Sequence, residues 1–121
     1  MTAYEAVYAA LSTMGIPVAP EAYDGTETSY ITYNHADDHG DDFGDNRPSC
    51  NVVTLQVHLF LPYKVAGRKN NYLSWKPLIR DALTTAGFTY PDVTPLTDPE
   101  SNTVHMVFTA DFEEGPLENE G

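Results

Sequence analysis

The chain has 121 residues, 41% of them hydrophobic, and carries eighteen Asp and Glu against six Lys and Arg, a formal net charge of -12. That length suits one domain with one core. The charge excludes wrapping of nucleic acid, because neutralising phosphates needs a basic footprint, and leaves basic partners or a surface past which a polyanion slides without sticking.

Cys50 is the single cysteine, which excludes an intramolecular disulfide and a zinc site built from cysteines. The opening "MTAYEAVYAALSTMG" has no basic stretch, and its apolar residues are spaced rather than continuous. Neither a signal peptide nor a membrane span is expected there, and folding in a cytoplasm is.

Tyr4, Val7, Tyr8, Leu11 and Met14 recur at helical spacing behind Thr2 as N-cap, and Gly15 and Pro17 stop the run. A first helix of about three turns follows, with one side packed, a sheet being the obvious cover. After the turn-prone "EAYDGTE", the β-branched and aromatic "SYITYN" at 29–34 reads as a strand. The stretch "NHADDHGDDFGDN", closed by "NRPSC", is polar, glycine-bearing and aperiodic, and reads as a long loop between strands with Phe43 as a small anchor. Such a loop exceeds the hairpin connections of about 2 to 5 residues that are usual.

"NVVTLQVHLFLPY" carries the strongest strand pattern: Val53, Leu55, Val57, Leu59 and Leu61 on one face, Thr54, Gln56 and His58 on the other. Phe60 falls on the second face and implies that part of it is covered, with another subunit as a candidate cover. Pro62 ends the strand or places it at an edge. "KVAGRKNN" reads as a basic turn, and Lys64, Arg68, Lys69 and nearby Lys76 make four of the six cations. Trp75, Leu78, Ile79, Ala82, Leu83 and Ala86 then give a second amphipathic helix, capped by Asn71 or Ser74 and closed by Gly87, with Pro77 in the first turn. Two strands joined at "TDPESN" finish the domain. The order helix, strands, helix, β-hairpin gives an α+β fold with a small mixed or antiparallel sheet and two helices packed on it. A single domain is expected over 1–112, and residues 113–121 are expected to form a disordered acidic tail.

Four groups of residues could carry chemistry. Asp37, Asp38, Asp41, Asp42 and Asp45 lack the spacing and terminal Glu of a calcium loop. His35 and His39 have metal-ligand spacing only if helical, and Gly40 and Gly44 argue against a helix there. No nucleophile elbow, zincin motif or phosphate cradle occurs, and Cys50 reads as a small buried residue. His58 and His105 read as half-exposed strand residues. The expectation is therefore no enzyme, no cofactor and no metal. The eight tyrosines divide between core packing and candidate subunit contacts.

The opening helix "YEAVYAALSTMGIPVAP", the strand "SYITYN", the run "FGDNRPSCNVVTLQVHLFLP" and the helix "WKPLIRDALTTAGF" before a last hairpin resemble the tail-completion proteins of long-tailed phages, which include tail terminators and tail-to-head joining proteins. The likeness spans the chain to about residue 112 and rests on element order and loose patterns; the aspartate-rich stretch departs from it. It implies a structural protein of the virion tail that forms a homo-oligomeric ring, commonly a hexamer, at the head-proximal end of the tube. Its partners would be the tail tube protein and a head-completion protein, with DNA passing through but not specifically bound and no membrane involved. Asp37, Asp38, Asp41, Asp42 and Asp45 would then line a channel or dock on a neighbouring ring, and Arg68, Lys69 and Phe60 would contact adjacent subunits. An alternative from another class is a small acidic DNA mimic, against which stands the poor spacing control of a glycine-rich loop.

Overall fold

The computed structural model describes residues 2–44, 47–62, 71–96 and 103–116, with side chains at 2–38, 51–62, 74–96 and 103–114. The order of elements is α1 (Ala3–Leu11), β1 (Val18–Pro20), β2 (Tyr30–Gly44), β3 (Arg47–Pro62), α2 (Asn71–Thr85), β4 (Asp92–Pro95) and β5 (Thr103–Pro116). The five strands form one sheet in the order β1-β2-β3-β5-β4. β1 runs parallel to β2 and the other pairs are antiparallel, so the sheet is mixed and the fold is α+β.

Thr2 starts α1 through a capping box: its hydroxyl accepts from the Glu5 N–H at 3.1 Å, and Glu5 Oε1 accepts from the Thr2 N–H at 2.8 Å. The buried face is Ala3, Ala6, Val7 and Leu11. Tyr8, expected to pack inward, is 50% exposed. Small alanines bring the helix close to its neighbours, and the larger rings are left on its flank, where Tyr4 leans edge-on against Tyr33 at 4.9 Å.

The alternation expected of β3 is present, with Val53, Leu55, Val57, Leu59 and Leu61 all buried. They share a core with Ile31 and Tyr33 of β2, Val104, Met106, Phe108 and Ala110 of β5, the inward residues of α1, and Ile79 and Leu83 of α2. Both helices therefore cover the same sheet face. Each such Leu or Ile, fully withdrawn from water, contributes about 1.5–3 kcal/mol.

Helix α2 begins at Asn71, so Ser74 lies inside it rather than capping it, and Pro77 sits beyond the first turn. The missing N–H removes one intrahelical bond, but Pro77 is exposed, where water can solvate the freed carbonyl. The other end is as expected. Gly87 adopts φ 106°, the Gly87 N–H donates to the Thr84 carbonyl at 3.1 Å, and the Phe88 N–H donates to the Leu83 carbonyl at 3.0 Å, which together make a Schellman closure.

Two further expectations are corrected. The aspartate-rich stretch is not a loop: β2 continues through it to Gly44, paired with β3 as far as Gly44 opposite Arg47. A β-ladder needs backbone partners, not apolar side chains, so an extension can remain strand while its sequence shows no hydrophobic alternation. The acidic tail does not begin at residue 113, because Glu113 and Glu114 belong to β5, which runs to Pro116. The segment Val18–Pro20, to which the sequence pattern assigns no element, pairs with Ile31–Tyr33 as a short parallel strand. The basic turn at 64–70 and the turn "TDPESN" at 97–102 lie outside the described residues.

Candidate functional site

Two surfaces remain once the helices have covered one side of the sheet: the opposite, open face, and the outer part of the β2–β3 hairpin. The hairpin is built by a register shift. Pairs from Tyr30↔Phe60 to His35↔Leu55 precede an irregularity between His35 and Asp37, after which Asp37 pairs with Thr54 and Asp38 with Val53. Ala36 is the extra residue of this β-bulge, which increases local twist. Beyond it β2 carries the acidic run.

Asp37 and Asp38 are exposed. Asp41 pairs through its backbone with Cys50, Asp42 lies within β2, and Phe43 is opposite Pro48. Asp45, Lys64, Arg68 and Lys69 lie outside the described residues. Four of the five singled-out aspartates thus sit on one strand with defined backbone spacing. β1 pairs with β2 only at Ile31–Tyr33, followed by a bond from the Glu21 N–H to the Tyr33 carbonyl at 2.8 Å. Among the described residues no strand pairs with that edge of β2 farther along. Charged residues on such an edge oppose pairing with another chain.

At the root of this arm, Tyr4 stacks on His35 with centroids 4.6 Å apart, and its hydroxyl donates to Glu21 Oε2 at 2.6 Å. Desolvation, then the Glu21 hydrogen bond and charge, push the Tyr4 phenol up to about 12.

The open face is banded. Tyr23, Tyr30, Phe60 and His105 form a continuous row of rings, with successive centroids 4.7, 4.7 and 4.3 Å apart. Phe60 is half-buried within this row, its ring between Tyr30 and His105 of its own chain. Beside the row, His58 Nδ1 lies 2.9 Å from His105 Nε2, and His58 Nε2 lies 2.9 Å from Asn34 Oδ1. Asn34 Nδ2 donates to the His35 carbonyl at 3.1 Å and to Gln56 Oε1 at 3.3 Å. Farther along, the Thr54 hydroxyl donates to Asp111 Oδ1 at 2.6 Å. Burial lowers both histidines below the ordinary imidazole value, and the neighbouring His58 lowers His105 further.

The sequence marks His58 and His105 as half-exposed strand residues, as they are, but does not bring them together. Their contact depends on the register of β3 against β5, in which Phe60 faces His105 and His58 faces Val107. The chain order contains no local sign of that register. On the helix side, an open groove of ≈ 500 Å³ lined by Ala6, Ala10, Ala82 and Ala86 offers apolar contact with little polar chemistry. Among the described residues no group of three metal-ligating side chains converges, and no helix is long and apolar enough to cross a membrane.

No family model matches the chain, and no curated protein matches it. A solved structure is similar over 100% of this chain and 100% of its own, with a TM-score of 0.53 and 13% identity. At that identity the likeness shows the fold alone.

Proposed function

We propose that the chain is a structural component of a long-tailed phage tail, of the terminator or tail-to-head joining kind. It would close as a ring, in the commonest form a hexamer, on the head-proximal end of the tube. The reading rests on the resemblance of its element order, and the observation that carries it to a mechanism is the acidic arm. Asp37, Asp38, Asp41 and Asp42 are carried by a paired strand that extends past β1. Repeated around an axis, such arms would present either a negative lumen that repels phosphates or a charged rim that docks on basic groups of the adjoining ring. Tail tube protein and head-completion protein are the partners of this reading, the virion tail its location after assembly in the host cytoplasm, and no catalysis is assigned.

Electron microscopy of the purified protein, alone and with tail tubes, tests it. Closed rings capping tubes are expected; tubes left bare would overturn the reading. Replacing the five aspartates by Asn then separates the two uses of the arm. Intact rings with slowed DNA release support the lumen, whereas failed joining supports docking.

One observation favours a second reading, an acidic DNA mimic. Mimicry needs carboxylates at held spacing, and strand pairing holds the backbone of this run as a loop of glycines would not. Solution mass with and without salt discriminates: a mimic remains a monomer or dimer and competes with DNA for a basic enzyme, while a terminator adds to tubes.

A further inference from the structure

The open face contains a device that the tail reading does not use. Asn34 donates its amide to the His35 backbone carbonyl, which fixes which end of the side chain is oxygen and turns Oδ1 toward His58. An amide oxygen only accepts, so His58 Nε2 carries its proton; in neutral His58 the Nδ1 is then an acceptor, and the proton between the rings belongs to His105 Nε2. The chain His105→His58→Asn34 therefore has one direction, and it ties β5, β3 and β2 together across the sheet.

This direction determines what acid does. A first added proton fits at His105 Nδ1, because Nε2 still donates to His58 and the bond gains charge assistance. A second must go to His58 Nδ1. That would set two N–H donors head-on and two positive charges side by side across a 2.9 Å gap. We propose that His58, His105 and Asn34 form an acid-operated latch that accommodates one proton and is opened by the second, releasing the side-chain link among β2, β3 and β5.

Among the described side chains, the other titratable or charged groups on this face are Tyr23 and Tyr30 in the ring row, with Asp37, Asp92, Asp111 and Glu113 farther along by strand register; the backbone register also places His39, opposite Val52, on this face. Asp111 is engaged by Thr54. Burial opposes protonation of both histidines, and the neighbouring His58 opposes that of His105 further, so both lie below the ordinary value. The unfolded chain, whose histidines keep the ordinary value of about 6.5, binds more protons just below that pH. Stability from the pair is thus complete above about 6.5 and is lost as pH falls through the folded-state values.

The test is a titration of the imidazole nitrogens by long-range proton–nitrogen NMR from pH 8 to 4 on the whole chain. At pH 8, His58 is expected with Nε2 protonated and Nδ1 bare. Two separated steps should follow, the lower one accompanied by a shift of the Asn34 side-chain amide signals. In His105→Gln the coupling disappears and His58 titrates in one step. In Asn34→Asp a carboxylate favours the second proton, and the lower step moves up by about one pH unit. Two histidines titrating independently near the ordinary value in the unaltered protein, or the opposite His58 tautomer, would overturn the proposal without recourse to any variant.

Discussion

Glu114 Oε2 accepts a hydrogen bond from the backbone N–H of Ala3 at 2.9 Å, joining the end of β5 to the first turn of α1 across 111 positions of sequence. A carboxylate at a helix N-terminus answers both an unsatisfied N–H and the positive end of the helix dipole. Glu114→Ala should therefore destabilise the fold by about 1 kcal/mol, a fall in Tm of roughly 4 °C. Thermal denaturation followed by circular dichroism measures it. Cutting the chain after Phe112 should cost more, since pairing between Val52 and Glu113 and between Cys50 and Pro116 is lost as well. An unchanged Tm in both would show that the end of β5 does not brace α1.

Gly87 holds φ 106° where the Schellman closure needs a left-handed residue, and a Cβ there would stand 3.4 Å from Phe112 Cε1. Gly87→Ala brings backbone strain at this left-handed position, while its Cβ would meet the ring that packs 4.8 Å from Phe88 at ordinary van der Waals contact. A loss of about 1–2 kcal/mol is expected, read from urea unfolding as a lowered midpoint at constant slope. Unaltered stability would mean that the α2 terminus relaxes freely.

These two positions show what was legible and what was not. Gly87 was readable because a helix stop is a local event: the apolar period ends and a residue without Cβ follows. The β3 face was readable for the same reason, since Val53 to Leu61 alternate without interruption. Glu114 was misread because its partner lies at the other end of the chain, and nothing near "EEGP" marks a strand. The acidic arm was misread for a related reason. Its strand character comes from backbone pairing with β3, and the run of Asp, Gly and His gives no hydrophobic alternation to show it. The His58–His105 contact needed the β3–β5 register, which is set by the packing of the opposite face.

Tyr4 supplies an alkaline counterpart to the histidine latch. Its phenol, desolvated and hydrogen-bonded to Glu21, is raised to about 12. Between its ordinary value of about 10 and that folded value, the unfolded chain has released the proton and the folded chain has not. Stability from this group is present below about pH 10 and is lost as pH rises toward 12. Tyr33 is also raised, by burial and the neighbouring Tyr8, so ultraviolet titration of tyrosinate should show late-ionising phenols of which the Tyr4 component disappears in Tyr4→Phe, and the variant's stability should decline less between pH 10 and 12. A full set of tyrosines ionising together near 10 would remove Tyr4 from this role.

The aspartates of the arm have a consequence for the isolated protein whatever the arm meets in an assembly. Beyond Tyr33 the edge of β2 has no strand partner among the described residues, and an unprotected edge pairs readily with another chain. Asp37 and Asp38 are exposed and Asp41 and Asp42 share the strand, so repulsion between two such edges opposes their approach. Replacing Asp37, Asp38, Asp41, Asp42 and Asp45 by Asn removes five charges while keeping side chains of similar size. The core lies elsewhere, so Tm is expected to stay within about 2 °C, in line with exposed substitutions of roughly 0.5 kcal/mol. Sedimentation velocity should nevertheless show new, concentration-dependent association. High salt should produce the same trend in the unaltered chain, because exposed charges are screened over about 8 Å at physiological ionic strength and less distance above it. If the variant and the unaltered chain sediment alike at every concentration, the carboxylates do not guard the edge, and their use lies wholly in contact with a partner.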